Sequence, residues 1–426
     1  MCLAVCVCIL GMAGCSNHNE KVVLENDGNT AQEKVLHFFS SMDVGSGALY
    51  YRELIDQYNR SNKGVRVVYE GISTGDGYNQ YLEQRLDAGE GDDVFIVNAD
   101  MVKTLYHKGY FYDMSQFPAF QKLNESTKEQ AMIEDTAYCL PVSMTAYCLF
   151  VNLDVLDQYG LKPPQNLEEF RNCCRTIKAA GGTPLSLNRW YALTVPALAN
   201  GLSEIYGADD LQEIRDGLNS GELKIGDYME EGFQVVEEFI REGWYGDGLN
   251  TASVDTIKAG DQDLPDFASG KTAFYFGHLD ALTLAEELNP DVNCVIQGVP
   301  VTGGTVTLPA ALTRLSINAD SKYLEETVDF VNYITSHKYE EVSVSGNGVL
   351  PIYEDAEYTL KSEKMRSAYE TFIQGGQVPI EDMQLRFTYW DNVRALSIRM
   401  FDGYTAREAA EEYDRIQMEQ IVQYGN

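Results

Sequence analysis

Positive charge is scarce in this 426-residue chain: 32 Lys and Arg stand against 65 Asp and Glu, a formal net charge of −33. That balance argues against nucleic acid, whose phosphates would be repelled, and against flat docking on an anionic membrane leaflet. Histidine is scarcer still. His18, His37, His107, His278 and His337 are scattered without metal-ligand spacing. No HExxH, nucleophile elbow or phosphate-binding glycine loop occurs, so the sequence points to no metal, no cofactor and no catalytic centre. Beyond residue 14, no apolar run approaches the ~20 residues of a membrane-spanning helix. Cysteine is equally uninformative. Once Cys2, Cys6, Cys8 and Cys15 are set aside, Cys139, Cys148, Cys173, Cys174 and Cys294 remain, an odd number without metal-ligand spacing. Adjacent Cys173 and Cys174 suit a ring-closing disulfide poorly, and most of these residues are expected to be small buried hydrophobes.

What the chain does have begins at its start. Residues 2–14 are apolar or small without exception, the length of a signal-peptide hydrophobic core. Met12-Ala13-Gly14-Cys15, followed by Ser16, Asn17, His18 and Asn19, resembles a bacterial lipoprotein signal, in which the cysteine after the cut carries the lipid. Met12 stands where Leu is usual, and no Lys or Arg precedes the apolar run. The expectation is a signal peptide over 1–14, lipidation at Cys15 and a body working on the outer face of the membrane, held by lipid alone. Residues 16–34 are polar, and 15–34 reads as a flexible spacer.

The remaining residues, a little over 400, exceed what one core usually supports, so two lobes are expected. Val35–Phe39 reads as a first strand and Ala48–Tyr58 as a helix; Val65–Tyr69 alternates as a second strand. A helix across Tyr78–Ala88, a strand over Val94–Val97 and a helix across Met101–His107 continue the pattern. Alternating strand and helix implies a largely parallel sheet covered on both faces. Ligands of such sheets sit beyond the carboxyl ends of the strands, which brings Ser40–Ser46, Gly71–Asn79 and Asn98–Asp100 to one edge. After Pro141 a second unit is read: a strand over Tyr147–Val151, a helix from Leu167 to Ala179 and Gly-capped helices over roughly 202–243. Strands follow at Thr272–Phe276, Val295–Pro300 and Ala311–Ile317, then a helix over Tyr323–Ser336 and a long helical C-terminus over roughly 388–421.

Asp93-Val94-Phe95-Ile96-Val97, with Leu105, Gly109, Tyr110, Asp113 and Ser115, resembles the extracellular solute-binding proteins of ABC importers, in the family that captures sugars and oligosaccharides. Pro141, the strand ending in Asn152, Gly160-Leu161-x-x-Pro164, Glu168-Glu169-Phe170 and Ala180-Gly181-Gly182-Thr183-Pro184 follow in that family's order. So do Phe267-x-Ser269-Gly270-Lys271-Thr272-Ala273-Phe274 with Gly277, then Gly298-Val299-Pro300, Ser316-Ile317-x-x-x-Ser321-Lys322 and Phe330-x-x-Tyr333. No single piece is specific; six in order over 35–426 are. The fold implied is α/β and two-lobed, a periplasmic-binding-protein-like fold of type II, each lobe a mixed sheet flanked by helices with the ligand cleft between. Lobe 1 would hold 35–142 plus about 308–346, and lobe 2 143–307 plus about 347–426, with crossings near Pro141, Pro300–Pro309 and Gly346–Pro351.

A sugar presents hydroxyl edges and weakly apolar faces, so its site needs carboxylates, amides and aromatic rings. Asp43, Asp76 and Asn79 lie in loops after the first two strands, each either a ligand contact or a helix cap. Asp100 sits just past Val94–Val97, where the resemblance implies a sugar-binding acid; capping of the next helix is its other reading. Trp390, ahead of a helix, falls where the resemblance implies a stacking Trp. Trp190-Tyr191 and Trp244-Tyr245 are further candidates, with core packing as the alternative. After Gly277 the family often carries a Trp; here His278 and Leu279 stand instead, and His278 offers a hydrogen bond to a hydroxyl. The function expected is a lipid-anchored, monomeric binding protein that closes on a carbohydrate and delivers it to an ABC permease. Polyamine or another organic cation is the second ligand class, and an extracellular glycan-acting enzyme the third reading.

Overall fold

Apolar Val35–Phe39 lies inside the strand Lys34–Ser40, parallel to Val65–Ile72 on one side and to Val94–Val97 on the other. The computed structural model describes residues 21–24, 33–41, 47–61, 64–72, 75–345, 350–354 and 360–424. The signal segment 1–14, Cys15 and Asp43 lie outside the described residues. The chain divides by contacts into two units, Met1–Ile96 with Asp320–Thr327, and Val97–Ala319 with Val328–Asn426.

In the first unit the helices Gly47–Ser61 and Gly75–Asp87 connect the parallel strands, as the alternation predicts. Phe38 packs edge-on against Tyr51 and Tyr69, at 5.0 and 5.2 Å between ring centroids. The Tyr78 hydroxyl donates to the Phe39 and Ile96 carbonyls, tying its helix to two strand ends. Buried Asp93 accepts from the His37 N–H and the Ser321 hydroxyl, so this acid is structural. Within the stretch read as a spacer, Lys21–Leu24 is a strand, antiparallel to Val65–Ile72 with Lys21 opposite Ile72. Sheet pairing there replaces chain freedom, because Val22-Val23-Leu24 continues the β pattern at an open sheet edge.

The second unit is organised by one strand, Leu140–Asn152, longer than the Tyr147–Val151 expected. Its first half pairs antiparallel with Leu308–Ile317 and its last four residues with Cys294–Gln297; Thr272–His278 pairs along its other edge. Two helices, Tyr191–Tyr206 and Ile225–Arg241, pack at backbone distance. A Cβ on Gly232 would stand 2.0 Å from the Ala197 carbonyl oxygen, so only glycine allows this crossing. The long C-terminal helix expected over 388–421 is two helices, Trp390–Arg399 and Ala406–Tyr424. A 3-10 turn over Met400–Asp402 follows the first, and Gly403, at φ 88°, ends it in the left-handed conformation. Thr405 then starts the second: its hydroxyl accepts from Glu408 N–H, and its own N–H donates to the Glu408 carboxylate.

All five cysteines past residue 15 are buried and free. Burial pushes Cys139 up to about 12 and Cys173 and Cys294 up to about 11, which suppresses the reactive thiolate. These five thiols are expected to stay unmodified by a thiol-specific reagent in native protein and to react together once denaturant is added.

Candidate functional site

Pairing of Leu140–Asn152 with Thr272–His278 sets Tyr147 directly opposite His278. Two helix starts deliver the other rings: Tyr191 opens Tyr191–Tyr206 and Trp390 opens Trp390–Arg399. Tyr147 lies 4.9 Å from Trp390, 5.3 Å from Tyr191 and 6.1 Å from His278, between ring centroids. Tyr191 in turn lies 6.0 Å from His278 and 6.5 Å from Trp390. All four side chains are half-buried. Each ring is supported from behind by packing while part of it meets solvent, the form of a stacking floor.

Neither helix carries a side-chain cap on its own N-cap residue, Trp190 or Tyr389. Their free N–H groups are taken by buried side chains set further back. The Asn188 side-chain oxygen accepts from Trp190 and Tyr191 N–H at 2.9 and 2.6 Å, while its amide donates to Asp263 at 2.7 Å. Glu381 accepts from Tyr389 N–H at 2.9 Å and from Trp390 N–H at 2.7 Å. Behind this second helix start the Tyr206 hydroxyl bonds both the Tyr389 hydroxyl and Asp382, which Arg215 pairs at 2.8 Å.

Charge gathers on the same helix start. Arg394 pairs with Asp391 at 2.9 Å and lies over the Trp190 ring, 4.2 Å from its centroid; Arg189 lies 4.6 Å from the same centroid. Asp100 belongs to the first turn of Ala99–Leu105, yet Asn98 caps that helix by accepting from Met101 N–H. That leaves one oxygen of the Asp100 carboxyl uncommitted: its Oδ1 is buried with no hydrogen-bond partner among the described residues. Burial raises its pKa, with the Asp391 charge adding and Lys103, Arg314 and Arg394 opposing. A buried acceptor without a donor costs stability unless something supplies one.

The pattern of the family described as bacterial extracellular solute-binding protein matches residues 45–341. The chain belongs to that family. The Multiple sugar-binding protein of Streptococcus mutans serotype c is 23% identical over 327 residues, which cover 71% of this chain and 73% of that protein. Apo RafE from Streptococcus pneumoniae superposes with a TM-score of 0.70 at 17% identity, over 92% of this chain and 99% of its own. With raffinose bound, RafE gives 0.69 at 17% identity, over 91% and 99%. A Bacillus licheniformis sugar transporter in complex with stachyose gives 0.63 at 18% identity, over 89% and 98%. At such identities the likeness establishes the fold, the type II periplasmic-binding-protein-like α/β class read from the sequence.

In this solute-binding protein the expected residues separate into groups. Trp390, Tyr191 and His278 share the floor; Trp190 joins it through Arg394, and Asp100 through the charges of Asp391 and Arg394. Trp244 stands apart. Its ring is 1% exposed and packs 5.0 Å from Phe239, so core packing takes it and a ligand does not. Asn79 is half-buried on the helix Gly75–Asp87 of the first unit, and Asp76 lies on the same helix. Sequence reasoning missed Tyr147, Asn188, Glu381 and Arg394. For Tyr147 a signal exists: it is the one tyrosine in the central strand, a ring with a polar tip.

Proposed function

We propose that this solute-binding protein captures a sugar or oligosaccharide on the Tyr147–Tyr191–His278–Trp390 floor and delivers it to an ABC permease. The observation that carries the reading is that floor, with the buried, unbonded Oδ1 of Asp100 beside the same helix start. Rings meet the apolar faces of a pyranose, and Asp100 and His278 meet its hydroxyls. Trp190 would bind as an edge, because two guanidinium groups already lie over its ring. Those guanidiniums also favour a hydroxylated ligand over a cation, which they would repel. The relatives' bound sugars, raffinose and stachyose, are the first ligands to try. Binding without turnover, a monomeric state, a lipid anchor at Cys15 on the outer membrane face, and closure of lobes 35–142 with about 308–346 and 143–307 with about 347–426 complete the reading. Asp43, Asp76 and Asn79 remain proposed contacts from the first unit.

A thermal-shift panel tests it. A sugar at a hundred times its Kd adds about 2.7 kcal/mol to the folded state, a rise of several degrees. That shift should persist in high salt, because neutral hydroxyls are not screened. A panel in which polyamines shift the protein and sugars do not, with affinity falling as salt rises, overturns the sugar in favour of a cation.

A further inference from the structure

Glu381 sits nine residues before Trp390 in sequence and directly beneath it in space. Its side chain is 5% exposed. It holds backbone: Tyr389 N–H donates to both carboxylate oxygens, at 2.9 and 3.0 Å, and Trp390 N–H to one, at 2.7 Å. Lys103 Nζ, 3% exposed, lies 3.4 Å from the same carboxylate and donates to the Phe387 carbonyl at 2.9 Å. One buried ion pair thus fixes both ends of the segment 387–390 that delivers Trp390. A carboxylate at a helix N-terminus is favoured by the free N–H groups and the helix dipole.

We propose that Glu381 is the positioning residue of the floor, setting the orientation of Trp390 through its backbone, so that ligand capture depends on whether Glu381 is ionised. The proposal rests on the sugar-capture reading of the same floor. Geometry already requires it to matter, since a charged acceptor forms bonds roughly twice as strong as a neutral one. Burial pushes Glu381 up to about 7, Asp100 pushes the same way, and Lys103 with the two N–H groups opposes. The other groups facing it are Arg314, from Leu308–Ile317, and Tyr389, Tyr413 and Tyr424. Burial raises all three tyrosines, so they stay neutral near pH 7, and Lys103 is the cation in contact.

When Glu381 takes a proton, its hold on Trp390 N–H weakens and Lys103 keeps the charge of Asp100, which it already influences, as an acid to turn to. Both changes act against capture, one by loosening the ring and one by engaging the carboxylate meant for hydroxyls. The effect on folding runs the other way. The folded-state pKa lies above the ordinary 4.5, so between about 4.5 and about 7 the native protein holds a proton that the unfolded chain has released. This group's contribution to stability therefore falls as pH rises through that window, while capture improves. An ionised acid buried at a cost to the fold is what a functional constraint would retain.

The test titrates intrinsic tryptophan fluorescence of the ligand-free full chain with pH, in wild type, Trp390→Phe and Glu381→Gln. The expected result is a transition in wild type with its midpoint near the Glu381 value of about 7, absent from both variants. Raffinose, titrated alongside, should bind wild type about fivefold more tightly at about pH 8 than at about pH 6, and Glu381→Gln equally at both. No transition in wild type, or one that survives in Trp390→Phe, overturns the proposal. Survival in Glu381→Gln overturns it too, by assigning the proton to another group such as His278. Should Glu381→Gln fail to fold, His278→Gln takes its place: a transition that persists there and is lost in Trp390→Phe supports Glu381, and one lost in His278→Gln overturns the proposal. Wild type that binds no sugar sinks the sugar reading alone, because the fluorescence needs no ligand.

Discussion

Trp390→Ala should raise the dissociation constant for the captured sugar about 30- to 100-fold, a loss of about 2–3 kcal/mol, with little change in folding stability. The ring is half-buried and packs on Tyr147 at 4.9 Å and near Tyr191 at 6.5 Å, so truncation removes the largest face of the floor and leaves Tyr147, Tyr191 and His278. Backbone geometry at the helix start is retained, since Glu381 grips N–H groups that alanine also has. Trp390→Phe keeps a smaller face and should lose about tenfold or less. Trp244→Phe gives the contrasting result: affinity unchanged and stability lowered, because that ring is sealed against Phe239. Calorimetric titration of the three variants with one sugar decides the matter. Unaltered affinity in Trp390→Ala removes this residue from the site.

The residues that could be read from sequence are those whose role is written in their neighbours. Trp390 and Tyr191 precede helical patterns, and His278 follows a glycine at the end of a strand; each sits where a strand or helix end presents side chains to solvent. The strand–helix alternation and parallel pairing of the first unit were legible for the same reason, because period-two runs and Gly-ended helices are local signals. The C-terminal break was legible and unread: Gly403 followed by Thr405-x-x-Glu408 is a helix stop and a capping box within six residues. Glu381 and Asn188 were not legible. Their importance lies in which N–H groups they meet in space, and an acid after Pro379-Ile380 looks like any exposed turn. Arg394 likewise acts across to Trp190, a contact some two hundred residues away in sequence that no periodicity encodes. Trp244 illustrates the converse error, because a Trp after a helix-ending glycine is placed by sequence at a surface, while the fold turns it inward.

Arg215→Met should destabilise the native protein by about 3–5 kcal/mol. Arg215 and Asp382 pair at 2.8 Å with side chains 7% and 2% exposed, so removing the guanidinium strands an almost wholly buried carboxylate without its counter-charge. Only the Tyr206 hydroxyl and the Gln384 N–H would remain to it. The second partner, Glu129 at 3.2 Å, is 54% exposed and adds little, because solvent screens it. A cavity of about 260 Å³ lined by Glu129, Tyr206, Arg215, Glu381 and Asp382 lies at this pair, and Met, shorter than Arg, fits there without overpacking. Replacing both partners separates the cause from mere loss of packing. Arg215→Met with Asp382→Leu should recover most of the loss, since neither charge is then buried alone, whereas Arg215→Met with Glu129→Gln should recover almost none. Denaturation midpoints of the three proteins measure this directly. Because Tyr206 joins Asp382 to the Tyr389 hydroxyl, the single variant should also loosen the residue beside Trp390 and weaken sugar binding modestly, by about threefold. An Arg215→Met protein within about 1 kcal/mol of wild type would show that Asp382 finds water in the native state, and the pair would then count as a surface contact.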